Sequence, residues 1–298
     1  MHLNRLSLKD KALFDKHLSL GKHSLSVYSF ANIYIWNKLF LISWVVINNN
    51  LCVFFQDKIG SFLYLEPLGR NIDSGVLKEV FKKLDSLNKN KCLSHIENIE
   101  EANLHLYRSE SYEIVFKSHD YLCKRDDLAS LKGNKFKSKR ASFNYFTKHY
   151  DYKFSLLTLE DRKACLDLYD HWSKQRESQS FDQAYKYMLK DSRVSLFQAL
   201  KYYKELKYYG FAVKIDKQIR GFTFGFQLNN DTFCILYEVT DLSIKGLAQF
   251  IFCEFSKKLK NFKYINIIDD SVLQCLKKVK NSYHPEKLIS SYIIRRHG

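Results

Sequence analysis

Proline is nearly absent from this sequence, and Pro67 and Pro285 are the only two residues of this type. This scarcity excludes a proline-rich linker. Long apolar runs are also missing, because the longest, residues 39–47, is too short to span a bilayer and ends at three asparagines. The first residues, MHLNRLSLKDKALFDKH, lack the apolar core of a signal peptide. We therefore expect a cytoplasmic protein without a transmembrane segment, at most peripheral on an anionic membrane.

Cysteine motifs are missing as well. The seven cysteines include no Cys-x-x-Cys pair, and none stands with a histidine at the spacing of a metal site. An odd number of cysteines, most of them inside apolar runs, is typical of reduced and buried thiols in a cytoplasmic protein. The sequence therefore predicts no metal cofactor.

Acidic residues are outnumbered by basic ones, 32 against 48, which gives a formal net charge of +16. A basic surface attracts polyanions such as nucleic acid, anionic lipid head groups or phosphate-bearing cofactors. The lysines are spread along the whole chain, however, and Asn, Ile, Phe and Tyr are also plentiful, as codon usage in an AT-rich genome would produce. A functional and a compositional origin of the charge both stay open.

The predicted elements follow the same order in two halves of about 150 residues each: helix, strand meander, helix, strand. Apolar runs flank a polar turn at Asn48–Asn50, and residues 74–87 have helical apolar spacing. In the second half a hairpin turn falls at residues 216–217, and an amphipathic helix covers residues 246–262. The pattern predicts an α/β (α+β) fold with mixed sheets. The predicted domains are residues 1–125, a basic connector helix at 126–150, and residues 151–298.

The loop TDLSIKG, which joins a predicted strand to the helix beginning at Gly246, is the first candidate site. The free N–H groups and the positive dipole end of a helix N-terminus bind anions. The segment loosely matches the acyl-CoA pyrophosphate loop of GNAT acyltransferases, with Ser243 where Gln or Arg is expected. An ordinary strand-to-helix turn is the alternative. The candidate donor-phosphate ligands are Ser243, Lys245, Gly246, Leu247 and Ala248.

The basic stretch LKGNKFKSKRASFNYFTKHY, residues 131–150, is the second candidate site. Basic and aromatic side chains together can bind single-stranded nucleic acid. Phe136, Phe143 and Phe146 nevertheless have the spacing of a helix face that packs against the protein. The basic residues either contact phosphates or lie on a solvated helix face. The candidate polyanion-binding residues are Lys132, Lys135, Lys139 and Arg140.

Four segments carry a family resemblance: YSFANIYIW (28–36), DLASLKGNKFKSKRASFNYF (127–146), GFTFGFQLNNDTFCILYE (221–238) and VKNSYHP (279–285). In this order and spacing they resemble the GNAT-like family related to the C-terminal aminoacyl-transfer domain of phosphatidylglycerol lysyltransferases, over nearly the whole chain. The resemblance implies a tandem pair of GNAT-like (acyl-CoA N-acyltransferase-like) domains. It also implies an acyl- or aminoacyltransferase whose donor is aminoacyl-tRNA or acyl-CoA and whose acceptor is an amine or a lipid hydroxyl.

Two residues are candidates for catalysis. Glu238, at a predicted strand end, would deprotonate the acceptor, and Tyr283 would protonate the leaving group. A salt-bridged carboxylate and a core tyrosine are the structural alternatives. The family tends to have a basic residue where Val239 stands and an Arg-Glu pair where Ile267 and Ile268 stand. The alternative function is therefore a non-catalytic protein that binds tRNA or an anionic lipid surface.

Overall fold

The computed structural model describes residues 2–178 and 182–297. Runs of strands and runs of helices are interspersed along the chain, as in the predicted mixed α/β class. The chain forms two compact units, of which the first comprises Met1–Asp120, Asp269–Leu273 and Leu288–Gly298, and the second comprises Tyr121–Ile268 and Gln274–Lys287. Residues 126–150, the predicted connector, lie within the second unit. The predicted domain limits stay a prediction.

Both units contain strands and helices. The strands, in chain order, are β1 (Asn4–Arg5), β2 (Leu41–Ile47), β3 (Asn50–Gln56), β4 (Ser61–Leu63), β5 (His95–Glu100), β6 (Tyr112–Lys124), β7 (Lys153–Leu156), β8 (Tyr209–Ile215), β9 (Gln218–Gln227), β10 (Thr232–Thr240), β11 (Tyr264–Asn266) and β12 (Lys287–Arg296). The α-helices are α1 (Lys11–Leu18), α2 (Phe30–Tyr34), α3 (Ser74–Leu87), α4 (Arg125–Ser130), α5 (Lys137–His149), α6 (Arg162–Glu177), α7 (Gln183–Lys201), α8 (Leu247–Lys258) and α9 (Gln274–Asn281).

The strands of the first unit have the order β1-β2-β3-β4-β5-β12, and their pairs are antiparallel except for β4 with β5. The hairpin of β2 and β3 turns at Asn48 and Asn49, whose φ angles are +46° and +63°. Two-residue hairpin turns of type I′ require this left-handed conformation at both positions, and asparagine tolerates it. The predicted polar turn is therefore confirmed.

Helix α3 packs its apolar side into the core of the first unit. Its residues Val76, Leu77, Val80, Phe81 and Leu84 are at most 3% exposed and belong to one apolar cluster. Burial of each such side chain contributes about 1.5–3 kcal/mol to folding. The Asp73 carboxylate caps the first turn by accepting a hydrogen bond from the Val76 N–H group. The apolar spacing of residues 74–87 thus predicted this helix.

The strands of the second unit have the order β6-β11-β10-β9-β8-β7, in which β6 takes part with its residues 121–124 only. Their pairs are antiparallel except for β10 with β11. The hairpin of β8 and β9 turns at Asp216 and Lys217, both with positive φ, as the sequence predicts. Helix α8 packs against α4, α5 and the sheet. Phe252 and Phe255 of α8 join Tyr283 in one apolar cluster.

Strand β10 is interrupted by a β-bulge at Leu236. Ile235 pairs with Gly225 of β9, whereas Tyr237 pairs with the adjacent Phe224, so that Leu236 is the extra residue. A bulge shifts the alternation of side chains along the strand by one residue. Each side chain after Leu236 therefore points to the face of the sheet opposite to the one it would occupy in a strand without the bulge.

The structure also describes two features discussed from the sequence, membrane-spanning segments and cysteines. In the parts of the chain that the structure describes, residues 2–178 and 182–297, no helix is long and apolar enough to cross a membrane. All seven cysteines are free thiols, of which Cys92 and Cys275 are exposed and the other five are buried.

Candidate functional site

Glu238 lies near the end of β10, beyond the residues that pair with the parallel strand β11. Strand β10 pairs with β11 only over residues 232–234, and β11 ends at Asn266. On its other edge β10 remains paired with β9 as far as Thr240. From residue 235 onward, the edge of β10 toward β11 therefore faces no strand among the described residues. The sheet of the second unit opens at this point.

The bulge decides the side to which Glu238 points. Glu238 pairs with Thr223 and Ile235 pairs with Gly225. Because Thr223 and Gly225 are two residues apart on a regular strand, their partners Glu238 and Ile235 share one face. Ile235 packs on that face with Tyr283 and α8. The two predicted catalytic residues thus belong to the same face of the sheet.

The carboxyl group of Glu238 is withdrawn from water, although the residue as a whole is partly exposed. Its Oε2 atom is buried and has no hydrogen-bond partner among the described residues. Burial raises the pKa of Glu238 to about 8, and the positive charges of Lys139 and Lys280 partly oppose this rise. A carboxyl group with this pKa exchanges its proton near neutral pH, as a general acid or base must.

Thr223 is a second buried polar residue at this position. Its Oγ1 atom is buried and, within residues 2–178 and 182–297, accepts and donates no hydrogen bond. Thr223 and Glu238 are opposite one another on neighbouring strands, where side chains are close enough to share a ligand. Two such unsatisfied atoms are costly unless another polar group bonds to them. Thr223 is not among the residues predicted from the sequence, although a threonine between phenylalanines in GFTFGFQL is a signal that could have indicated it.

Tyr283, the predicted general acid, lies beside Lys139 of α5. The Lys139 Nζ atom is 4.1 Å from the centre of the Tyr283 ring, and the Phe252 ring centre lies at 4.4 Å. Burial is the main cause that raises the pKa of Tyr283 well above its ordinary value, and the charge of Glu238 adds to it. Burial lowers the pKa of Lys139, against the effect of Glu238. The structure brings these three residues together, and their catalytic roles stay a prediction.

Lys280 of α9 is a further residue that sequence reasoning missed. Its Nζ atom donates hydrogen bonds to the backbone carbonyl oxygens of Ile267 and Ile268, the second at 3.1 Å. Val239 and Ile267 are 2% and 7% exposed, so two positions at which the resemblance implies charged residues hold buried apolar side chains. Lys280 instead supplies positive charge near Glu238. The segment VKNSYHP, which carried the resemblance, contains this lysine.

Gly246 caps the N-terminus of α8 with a φ angle of +86°. A Cβ atom added here would lie 2.1 Å from the carbonyl oxygen of Ser142 and 3.0 Å from Cβ of Phe146, both in α5. The backbone of α5 therefore covers the predicted phosphate loop at its glycine. Leu247 is fully buried and Ala248 is partly buried. Phosphate binding by these residues stays a prediction.

Ser243 and Lys245 form the exposed side of the same loop. The N–H and hydroxyl groups of Ser243 donate hydrogen bonds of 3.0 and 2.6 Å to the Asp241 carboxylate. The Nζ atom of Lys245 lies 4.4 Å from the ring centre of Tyr145 in α5. Internal contacts thus already orient both side chains.

The predicted polyanion-binding residues differ in how they are held. Lys132 is exposed, and Lys135 forms an ion pair of 2.7 Å with Asp127. The Arg140 guanidinium donates a hydrogen bond of 2.7 Å to the carbonyl oxygen of Gly133. Nothing in these contacts tests polyanion binding, which stays a prediction. The predicted packing face of the stretch is confirmed by the burial of Phe136 and Phe146 and the partial burial of Phe143.

Comparison with known proteins gives this arrangement a context. The family model for the C-terminal part of phosphatidylglycerol lysyltransferase matches residues 19–295. No curated protein matches the sequence. A conserved protein of unknown function from Bacteroides thetaiotaomicron VPI-5482 has a TM-score of 0.87 and 26% identity over 99% of both chains. L-PGS from Bacillus licheniformis has a TM-score of 0.67 and 15% identity, over 96% of this chain and 92% of its own.

A third solved structure bears on the fold alone. A tandem GNAT protein from the clavulanic acid biosynthesis pathway has a TM-score of 0.51 and 9% identity, over 100% of this chain and 98% of its own. The predicted tandem GNAT-like fold is therefore confirmed. Family and fold together indicate an acyl- or aminoacyltransferase-like protein. The chain belongs to the family of phosphatidylglycerol lysyltransferase C-terminal domains.

Proposed function

We propose that this chain transfers an aminoacyl group from aminoacyl-tRNA to an amine or to the hydroxyl group of an anionic lipid, with Glu238 as the general base. One observation carries the proposal: the buried Oε2 atom of Glu238 lacks a partner among the described residues, and the pKa of the carboxyl is about 8. The family supports transfer chemistry. We place the reaction in the cytoplasm, with tRNA as one partner and a membrane surface as the other.

The proposed reaction assigns a role to each group of the site. Glu238 takes a proton from the acceptor nitrogen or oxygen as that atom attacks the ester carbonyl of the aminoacyl group. The bond from the carbonyl carbon to the ribose oxygen of tRNA then breaks. The raised pKa of Tyr283 keeps its hydroxyl group protonated, and this hydroxyl gives a proton to the ribose oxygen. The positive charges of Lys139 and Lys280 stabilise the negative charge that develops.

The surroundings of Gly246 favour aminoacyl-tRNA over acyl-CoA as the donor. A CoA pyrophosphate would need close approach to the backbone at the start of α8. The carbonyl of Ser142 in α5 covers this turn, and Leu247 is fully buried. A tRNA acceptor end can instead contact the exposed Lys132 and Lys245.

The donor is tested by supplying labelled aminoacyl-tRNA to the full chain, with phosphatidylglycerol liposomes or a small amine as acceptor. We expect multiple turnovers of label into one acceptor, and no inhibition by micromolar acetyl-CoA. Transfer of acetyl groups from acetyl-CoA, without transfer from tRNA, would show that the donor is wrong. Label in the lipid fraction or in the amine decides between the two acceptors.

Replacing Lys139 with methionine is expected to shift the pH profile of the transfer. The charge of Lys139 lowers the pKa of Glu238, so its loss raises that pKa further. A base with a higher pKa is deprotonated only at higher pH. The value of kcat/KM at pH 7 should then fall several-fold. The plateau at high pH should fall less, because only the stabilisation of the developing charge by Lys139 is lost there. The measurement is kcat/KM between pH 6 and 10.

Lys132→Met is the matched control for this shift. Lys132 is an exposed lysine of the same basic stretch, and its loss removes the same charge from the protein. We expect a change in KM for tRNA at most, with the pH at which the rate rises unchanged. Equal pH profiles for Lys139→Met and the wild type would contradict the electrostatic role of Lys139.

A second candidate function is a non-catalytic protein that binds tRNA or an anionic lipid surface. The burial of the apolar residues Val239 and Ile267, at positions where the family tends to have charged residues, favours it. Such a protein would bind tRNA with an affinity that falls steeply as salt is raised, and would show no turnover. Multiple turnover in the transfer assay would reject it.

A further inference from the structure

A second cluster of ionisable side chains lies entirely in the first unit. His23 precedes α2, Glu66 follows β4, and Glu100 is the last residue of β5. One ring nitrogen of His23 and one carboxylate oxygen of each glutamate lie within 4.8 Å of one another. Glu66 is 2% exposed and Glu100 is 8% exposed. Two buried carboxylates this close repel each other, and a positive charge between them would remove that repulsion.

Hydrogen bonds fix one oxygen of each carboxylate. The Oε1 atom of Glu66 accepts hydrogen bonds from the Tyr28 hydroxyl at 3.0 Å and the Asn103 amide at 2.6 Å. The Oε1 atom of Glu100 accepts from the backbone N–H groups of Ser24 and Leu25, at 2.6 and 3.1 Å. Outer contacts of this kind orient the carboxylates and imidazoles that bind metal ions. The second oxygen of Glu100 pairs with His23, and the second oxygen of Glu66 is left for another partner.

The second carboxylate oxygen of Glu66 is available to bind a ligand. Its Oε2 atom is buried and has no hydrogen-bond partner in the described parts of the chain. The other carboxylate oxygen of the cluster, Glu100 Oε2, lies 3.0 Å from Nδ1 of His23. The His23 ring is stacked on Tyr28 at a centroid distance of 4.0 Å, which fixes the plane of the imidazole.

The cluster opens into a cavity. His23, Glu66 and Glu100 line a space of about 570 Å³, together with His17 and Asn103. A small ion can enter from this space, and a water molecule or a ligand has room to complete its coordination.

We propose that His23, Glu66 and Glu100 bind a divalent transition-metal ion, with Zn²⁺ as the closest match. One imidazole nitrogen and two carboxylate oxygens are ligands that Zn²⁺ accepts, at bond lengths of about 2.0–2.2 Å. Ligand atoms at those bond lengths lie about 3–3.5 Å apart, so a small inward movement of the three side chains completes the site. Mg²⁺ prefers oxygen ligands only. The three ligands are far apart in the sequence, which is why their spacing predicted no metal.

The test is a titration of the full chain with ZnCl₂ after dialysis against a chelator. We expect one equivalent of Zn²⁺ to bind with a dissociation constant of about 1 μM or lower, and Mg²⁺ to bind at least about 100-fold more weakly. Glu66→Gln keeps the shape and the Oε1 acceptor but removes the charge, and should weaken Zn²⁺ binding by about 100-fold or more. Zn²⁺ should raise the Tm of the wild type and not that of the variant.

Glu97→Gln is the matched control. Glu97 lies in β5, the strand that ends at Glu100, and its carboxylate pairs with His95 and Lys117 and not with the cluster. This variant should bind Zn²⁺ as the wild type does. If Glu66→Gln does not fold, His23→Gln provides the same test at a residue nearer the surface. Wild-type affinity in a folded ligand variant would place the ion at other side chains and overturn the proposal. So would the absence of one-equivalent binding below about 100 μM.

Discussion

Replacing Glu238 with glutamine is expected to lower kcat/KM for acyl transfer by about 10²–10⁴-fold, the contribution of a positioned general base. Because the pKa of Glu238 is about 8, the wild-type rate should rise with pH up to that value and then level off. The variant has no carboxylate to deprotonate and should lose this rise. The measurement is kcat/KM against pH with saturating acceptor.

The thermal stability of Glu238→Gln separates lost chemistry from lost folding. The folded state raises the pKa of Glu238, so it favours the protonated carboxyl. The stability that this group contributes is therefore present at low pH and decreases as pH rises toward 8. Glutamine resembles the protonated form, and the Tm of the variant at pH 8 should equal or exceed that of the wild type. A folded variant with wild-type kcat/KM would remove Glu238 from the reaction.

Gly246→Ala is expected to lower the free energy of unfolding by about 2–5 kcal/mol. A non-glycine residue in the left-handed conformation costs about 1–2 kcal/mol, and forcing an added group into packed space costs about 1–3 kcal/mol more. The added Cβ would lie 2.1 Å from the Ser142 carbonyl oxygen, so α5 must move. Chemical denaturation measures the loss. A larger residue such as aspartate would prevent α5 from packing here, so lost donor binding in Gly246→Asp would report misfolding.

Gly133→Ala is the control. Gly133 also has a positive φ angle, +85°, but its ψ angle is 169°, whereas that of Gly246 is −8°. No described atom lies within 4 Å of the Cβ that alanine would add at Gly133. This variant should lose only the conformational contribution, about 1–3 kcal/mol in a backbone region that is essentially restricted to glycine. That contribution is at least as large as the one at Gly246, so a larger loss in Gly246→Ala is due to the contact of α8 with α5. A loss of only about 1–2 kcal/mol in Gly246→Ala would show that α5 does not press on Gly246.

Periodicity in the sequence was enough to predict most of the elements. The apolar spacing of residues 74–87 predicted α3, because each apolar position of that helix is buried in one core. The asparagines at 48 and 49 and the pair at residues 216–217 predicted both hairpins, since local turn chemistry decides such turns. These are local properties of the chain, and a sequence contains them directly.

The site could be predicted only in part. A strand end and the family resemblance indicate Glu238 and Tyr283, and the structure places both on one face. Lys280 and Thr223 were missed because their importance depends on neighbours from distant segments. The cover of α5 over Gly246 was missed for the same reason. Backbone approach between two helices leaves no mark in the sequence beyond the glycine itself.

The extra residue in β10 has a consequence for insertions and deletions. Removing one residue from a strand normally turns every later side chain to the opposite face. At Leu236 the opposite holds, because Glu238 already pairs with Thr223 as though this residue were not counted. A relative that lacks Leu236 can therefore present the same carboxylate from an unbroken strand. A gap of one residue at the bulge is therefore compatible with an intact site.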